Sequence, residues 1–303
     1  MKNTEGRCLP SADNFTLSYG KTSLDINLNK SADVLALSEK PETLSEDDIF
    51  QKLENEPIYS EGLSDTIRES GSVLIIVPDI TRKSGAELIL PRLIGMIETA
   101  GKDFNITFAT GTHRKMNDEE KKIILGEVYD KYSDRVIDHD CDDYDNHAFF
   151  GITKRKTPVL VNSMYMKHDT VITIAALSYH YFAGYGGGRK MIIPGIAAGK
   201  AIMRNHMLAL DVTSASRHKM AVNGKLAGNP VHDDLVEAVL ISRAGKTFFA
   251  VNTILDENSQ ILDVTGGDLF MSHKEAAARL DNMFCIETGE EYDFAIVSCG
   301  GFP

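Results

Sequence analysis

What most constrains this chain is a recurring alternation. Short apolar, β-branched runs, each ended by small or polar residues, are separated by amphipathic stretches with helix punctuation. The runs Ser72 to Asp79, Asn105 to Thr110, Thr170 to Leu177, Thr247 to Leu255 and Asp293 to Ser298 have the composition of buried strands. Between them, Asn117 with Glu120 three residues on reads as an N-cap and its capping box, and Asn229 followed by Pro230 reads as a second helix start. Strand and helix in alternation favour an α/β fold with a largely parallel sheet flanked by helices. In such sheets ligands gather beyond the carboxyl ends of the strands.

At 303 residues, 43% hydrophobic and 25% charged, the chain can bury a large core. Its net charge of −12 argues against a nucleic-acid partner, which needs a basic surface. The start, MKNTEGRCLPSADN, lacks a signal-peptide core, and runs such as Val171 to Leu177 are too short to span a bilayer. These features read as a cytoplasmic protein with no membrane partner. Cys8, Cys141, Cys285 and Cys299 lie far apart without a C-x-x-C pair, so reduced thiols are expected.

The first sixty or so residues read as polar and irregular, apart from Thr22 to Leu28 as a candidate edge strand. At the other end, Glu287 to Tyr292 reads as a linker into a strand Phe294 to Ser298 and the turn Cys299-Gly300-Gly301-Phe302-Pro303. The expected division is a lobe over 1–286 and, over 287–303, the linker and first strand of a second α/β lobe begun and not completed.

Three strand ends carry groups with chemistry. Arg82 offers a planar fork suited to a carboxylate or phosphate, and Asp79 is spaced to orient it or to form an ordinary ion pair. His113 and His180 each follow an apolar run, where two imidazoles at one crevice can serve as general acid and base. The run Gly186, Gly187 and Gly188 lets backbone N–H groups approach a phosphate or simply makes a tight turn. Lys190 adds a cation or a nucleophilic amine. The spacing is neither that of a P-loop nor G-x-G-x-x-G, which disfavours a nicotinamide-dependent dehydrogenase. Beyond Pro194 and Gly195, a helix from about Lys200 presents Ile202 and His206 one turn apart, where His206 can reach a metal or pack. Tyr179, Tyr181 and Tyr185 line a pocket or pack. The acidic stretch Asp138 to His147 lacks EF-hand or zinc spacing and reads as a solvated loop that binds no metal tightly.

The segment from His180 through Lys190 to Gly195, with His206 sixteen residues after the lysine, closely resembles the signature of nickel-dependent lactate racemases. Asp79-x-Thr81-Arg82, Thr110-Gly-Thr-His113-Arg114 and Gly228-Asn229-Pro230-Val-His232-Asp233 match the same family in the same order. The resemblance covers nearly the whole chain after residue 15.

That resemblance implies racemisation or epimerisation of a small, lactate-like 2-hydroxy acid by proton-coupled hydride transfer. It implies nickel held in a pyridinium-bis-thiocarboxylic acid mononucleotide (the nickel-pincer nucleotide), joined covalently to Lys190 beside the Gly186–Gly188 turn and built by separate cofactor-making enzymes. On the same basis His206 is the nickel ligand, His113 and His180 the acid/base pair, Arg82 the substrate-carboxylate group and Asp79 its companion. The family also has a second lobe, so the chain as it stands is expected to turn over slowly. A catalytically silent protein of the same fold, binding only the cofactor or an anion, is the alternative.

Overall fold

Strand β1 (Arg7–Tyr19) turns back into β2 (Thr22–Ala36) as an antiparallel hairpin, paired from Tyr19 opposite Thr22 to Arg7 opposite Ala36. In the computed structural model, which describes residues 7–20, 22–36, 41–289 and 291–298, the hairpin belongs to one of two units, with the described residues from Ala278 onward. Within this unit the Tyr292 hydroxyl donates to Asp33 at 2.8 Å and the Ser298 hydroxyl to the Ser18 carbonyl at 2.8 Å. Two expectations change here. Thr22 to Leu28 is a strand, but in this two-stranded hairpin and not at the edge of the large sheet. Asp293 to Ser298 forms no strand, because no described segment supplies the ladder that defines one; residues 299–303 lie outside the described residues.

Residues 43–277 form the other unit. It begins with α1 (Glu46–Asn55) and α2 (Leu63–Glu69), then β3 (Ser72–Pro78), α3 (Ala86–Thr99), β4 (Asp103–Ala109), α4 (Asp118–Leu125), α5 (Glu127–Tyr132) and β5 (Val136–Ile137). An antiparallel pair, β6 (His147–Ile152) and β7 (Pro158–Asn162), precedes β8 (Thr170–Ala176). Two-residue strands β9 (Tyr179–His180) and β10 (Gly184–Tyr185) lead to α6 (Gly199–His206), and the short pair β11 (Leu210–Asp211) and β12 (Ser216–Arg217) follows. The unit closes with α7 (Pro230–Ser242), β13 (Thr247–Leu255), β14 (Ile261–Gly267) and α8 (Met271–Phe284), within which the boundary between the units falls.

The large sheet has the order β14-β13-β8-β3-β4-β5, parallel throughout except for the antiparallel edge strand β14. Alternating side chains of β3 build separate cores on its two faces. Val73, Ile75 and Val77 pack with α1, α2 and α3, while Leu74 and Ile76 pack with α6, α7 and the β6–β7 pair. From β3 the chain runs outward to β4 and β5, then returns to lay β8 on the other side of β3. That reversal leaves a crevice beyond the carboxyl ends of β3 and β8, where an open α/β sheet binds ligands.

The helix signals act as read. Asn117 accepts from the Glu120 N–H at 2.8 Å while the Glu120 carboxylate accepts from the Asn117 N–H, and Asn229 caps α7 with Pro230 in its first turn. Helix α1 was hidden in the stretch read as irregular. Ser45 and Asp48 form its capping box, and Ile49, Phe50 and Leu53 bury one narrow stripe of an otherwise polar helix. Among the described residues no helix is long and apolar enough to cross a membrane.

Candidate functional site

The loop after β3 carries Asp79, Thr81 and Arg82, and the loop after β4 carries His113. Asp79, almost fully buried, places Oδ2 2.5 Å from His113 Nδ1, and its Oδ1 accepts from the Thr81 N–H at 3.0 Å. The carboxylate therefore holds a proton on Nδ1 and leaves Nε2 of the half-exposed ring as the free acceptor. This corrects the expected orientation of Arg82 by Asp79. The carboxylate is taken up by His113 and Thr81, and the exposed Arg82 guanidinium makes no hydrogen bond or ion pair among the described residues.

His180 sits at the start of the tight β9–β10 turn, where its Nδ1 accepts from the N–H groups of Phe182 at 3.4 Å and Ala183 at 3.2 Å. A neutral ring bonded in this way carries its proton on Nε2. Burial, then the charges of Lys190 and Arg82, push the His180 pKa down to about 3, so the ring is neutral at physiological pH. Tyr181 stacks on it with centroids 5.0 Å apart. Of the other two tyrosines, Tyr185 is buried and donates to the Gly224 carbonyl at 3.3 Å, and Tyr179 packs on it at 5.5 Å.

Phe182, which sequence reasoning passed over, joins the remaining groups. Its ring lies 4.5 Å from that of His180 and 4.7 Å from that of His206, with Lys190 Nζ 5.9 Å from its centroid. Its only sequence signal was an aromatic flanked by the candidate residues. The Lys190 amine is pushed well below the usual lysine range by burial, then by Arg189 and Arg82, and makes no hydrogen bond among the described residues. His206, on the last turn of α6 one turn after buried Ile202, has a buried Nδ1 that makes no hydrogen bond of normal geometry among the described residues. Such an amine and such an imidazole nitrogen on one apolar hub suit covalent attachment and metal ligation respectively.

The glycine run forms a turn in which Gly187 has φ +68° and Gly188 φ +51°, conformations that other residues rarely adopt. A cavity of about 320 Å³ lies at the sheet crevice, lined by Pro78 of β3, Ala175 and Ala176 of β8, Ser178, Gly187, Arg82 and Lys83. It shares Arg82 and Gly187 with the cluster, while the three histidines lie outside its lining. Gly195 ties the two halves together. Its N–H donates to the Lys190 carbonyl at 2.9 Å, and its own carbonyl accepts from Gly111 N–H, two residues before His113, at 2.9 Å.

The acidic stretch serves as a brace. Buried His139 takes the Asn162 side-chain N–H on Nδ1 and approaches the Ala197 carbonyl with Nε2, and the Cys141 carbonyl accepts from Gly199 N–H at the start of α6. Asp140, Cys141 and Asp142 bring ligand atoms within 4.8 Å of one another, but Asp140 already accepts from Asp142 N–H and pairs with Lys115.

With this arrangement in place, comparison with known proteins decides the family. The pattern described as lactate racemase N-terminal domain matches residues 19–217. The chain belongs to that family. The matched segment contains Arg82, His113, His180, Lys190 and His206. Among curated members, the chain is 27% identical over 296 residues to a lactate racemase of Thermoanaerobacterium thermosaccharolyticum, covering 96% of this chain and 67% of the relative. It is 29% identical over 262 residues to that of Lactiplantibacillus plantarum, covering 86% and 59%. Its fold matches the lactate racemase apoprotein structure from T. thermosaccharolyticum with a TM-score of 0.75 and 25% identity, covering 89% of this chain and 62% of the other. A protein structure from Thermotoga maritima, at 21% identity and a TM-score of 0.66, shares the fold over 81% of this chain and 61% of the other. The chain thus spans roughly three fifths to two thirds of the length of these lactate racemase family relatives.

Proposed function

We propose that this chain is the cofactor-holding lobe of a nickel-dependent racemase or epimerase acting on a small 2-hydroxy acid. The observation that carries the reading is the contrast between two histidines of one cluster. Asp79 leaves His113 with a free Nε2 acceptor, and backbone amides leave His180 with an Nε2–H donor.

With one enantiomer bound, His113 takes the hydroxyl proton and His180 donates a hydrogen bond to the substrate oxygen, as neutral imidazoles can. For the other enantiomer His180 must be the base. Its proton then moves to Nδ1 in place of the two N–H contacts, which at 3.2 and 3.4 Å are long and readily given up. Arg82, unpaired beside the cavity, holds the substrate carboxylate through its planar fork. Lys190 is the attachment amine, fitted by a side chain that makes no hydrogen bond among the described residues, and His206 the nickel ligand, fitted by its buried Nδ1. When bound, the nickel-pincer nucleotide supplies the acceptor and donor of the α-carbon hydride. The 320 Å³ cavity beside the glycine turn offers room for part of a nucleotide.

The test is to express the chain with the cofactor-making enzymes and supply single enantiomers of a panel of 2-hydroxy acids. Inversion of at least one supports the reading. A chain that carries nickel and the Lys190 adduct yet inverts none is a binding protein of the same fold, and the racemase reading fails.

A further inference from the structure

Next to Lys190 stands Arg189, whose side chain is 1% exposed and has no carboxylate partner among the described residues. A buried guanidinium without a counter-charge is costly to keep, so its contacts indicate what it does. Nη2 donates to the Ala183 carbonyl at 3.0 Å, and Nη1 lies 2.6 Å from Nε2 of buried His273. The same imidazole nitrogen is 2.8 Å from the Gly186 carbonyl oxygen. Both contacts cannot be hydrogen bonds of one nitrogen. The guanidinium only donates and the carbonyl only accepts; the shorter, charge-assisted contact is the stronger, and two donors at 2.6 Å would repel, so Nε2 carries the lone pair and accepts from Arg189.

His273 is itself fixed from behind. The neighbouring Ser272 receives Asn252 Nδ2 on its hydroxyl at 3.0 Å and Thr265 Oγ1 on its carbonyl at 3.0 Å, tying the first turn of α8 to β13 and β14. Its imidazole also packs under Gly188, where an added Cβ would come within 2.7 Å of the ring. A continuous line of contacts therefore runs from the sheet edge through Ser272 and His273 to Arg189 and the glycine turn, and ends at Lys190. His273 lies outside the segment matched by the family pattern.

We propose that His273 is a positioning residue for Lys190. By accepting the Arg189 hydrogen bond and packing under Gly188, it holds the glycine turn in the form that presents the amine for cofactor attachment. The proposal rests on Lys190 as the attachment point, and it concerns how the lysine is held rather than what it carries. Burial, then the charges of Arg189 and Arg82, also hold the amine well below the usual lysine range.

The full chain is made as wild type, His273→Leu and His273→Gln, each with the cofactor-making enzymes. Leucine keeps bulk but cannot accept from Arg189; glutamine keeps an acceptor. Two readouts are taken, the adduct on Lys190 by intact and peptide mass and amide hydrogen exchange over residues 184–191 with β8 as the internal reference. In His273→Leu, exchange over the turn rises about tenfold or more, the scale set by one buried donor left unpaired, and adduct yield drops similarly. In His273→Gln both recover most of the way. An absent adduct in wild type refutes Lys190 attachment itself, whereas the exchange readout still reports on the turn. Unchanged exchange and adduct in His273→Leu overturn the proposal. So does a loss in His273→Gln as deep as in His273→Leu, or exchange that rises in β8 as much as in the turn.

Discussion

Asp79 Oδ2 lies 2.5 Å from His113 Nδ1, while the guanidinium of Arg82, three residues along the same loop, points to no carboxylate among the described residues. The acid therefore serves His113 and not Arg82. Asp79→Asn removes the group that fixes the His113 tautomer, so turnover of loaded protein drops by about 10²–10⁴-fold with substrate KM little changed. Because a racemisation has an equilibrium constant of one, kcat/KM falls equally for both enantiomers. A rise in KM alone would assign Asp79 to substrate binding.

Lys190→Ala abolishes the mass adduct of protein loaded by the cofactor-making enzymes, and His206→Ala loses nickel while its melting temperature stays near wild type. Metal analysis beside intact mass separates the two effects. An adduct that persists in Lys190→Ala, or full nickel occupancy in His206→Ala, contradicts the assignment concerned.

The buried carboxylate of Asp234 receives Thr153 Oγ1 at 2.6 Å, Thr157 Oγ1 at 2.7 Å and Asn205 Nδ2 at 2.9 Å. Asp234→Ala strands these donors, each costing about 1–3 kcal/mol when unsatisfied. The melting temperature falls by about 6 °C or more, since about 1 kcal/mol moves a unit of this size by about 2–4 °C. Asn205 precedes His206, so nickel retention weakens in the same variant. An unchanged melting curve would show that water replaces the carboxylate.

Burial holds His139 down at about 4 and His232 down at about 3, each with burial as the largest cause. Their stabilising effect is fully present above the unfolded histidine value near 6.5 and is lost as pH falls from there toward those folded values, because only the unfolded chain takes up the protons. Chemical denaturation of the cofactor-free chain at pH 7.5 and 5.0 reads this loss, with a slope approaching about 1.4 kcal/mol per pH unit for each site. His139→Gln flattens the slope. Stability that is constant or higher at pH 5.0 contradicts the burial argument.

The four central strands were legible because each is buried on both faces and so reads as a continuous apolar run, β13 along its whole length from Thr247 to Leu255. Helix α1 was not, since only Ile49, Phe50 and Leu53 face the core and the Ser45–Asp48 box is a weak signal among many acidic residues. Of hairpin β1–β2, which pairs with itself, only Thr22 to Leu28 was read as a strand, and its described side chains form no buried run. At the site, residues placed just past strand ends could be named. What sequence spacing could not supply was which neighbour each one chose. Asp79 turned to His113, 34 positions away, and Arg189 to His273, 84 positions away. Such partners are set by the topology that folds β4 beside β3 and brings α8 against the glycine turn.

The most direct test of racemisation by hydride transfer is to give the loaded chain one enantiomer of a 2-hydroxy acid deuterated at the α-carbon, in ordinary water, and follow both enantiomers by chiral chromatography with mass detection. The account predicts that the opposite enantiomer appears with its deuterium retained, because the hydride leaves and returns without exchanging with solvent while only the hydroxyl proton passes through His113 and His180. Product that has lost its deuterium to water would mean proton abstraction at carbon, and would contradict the account.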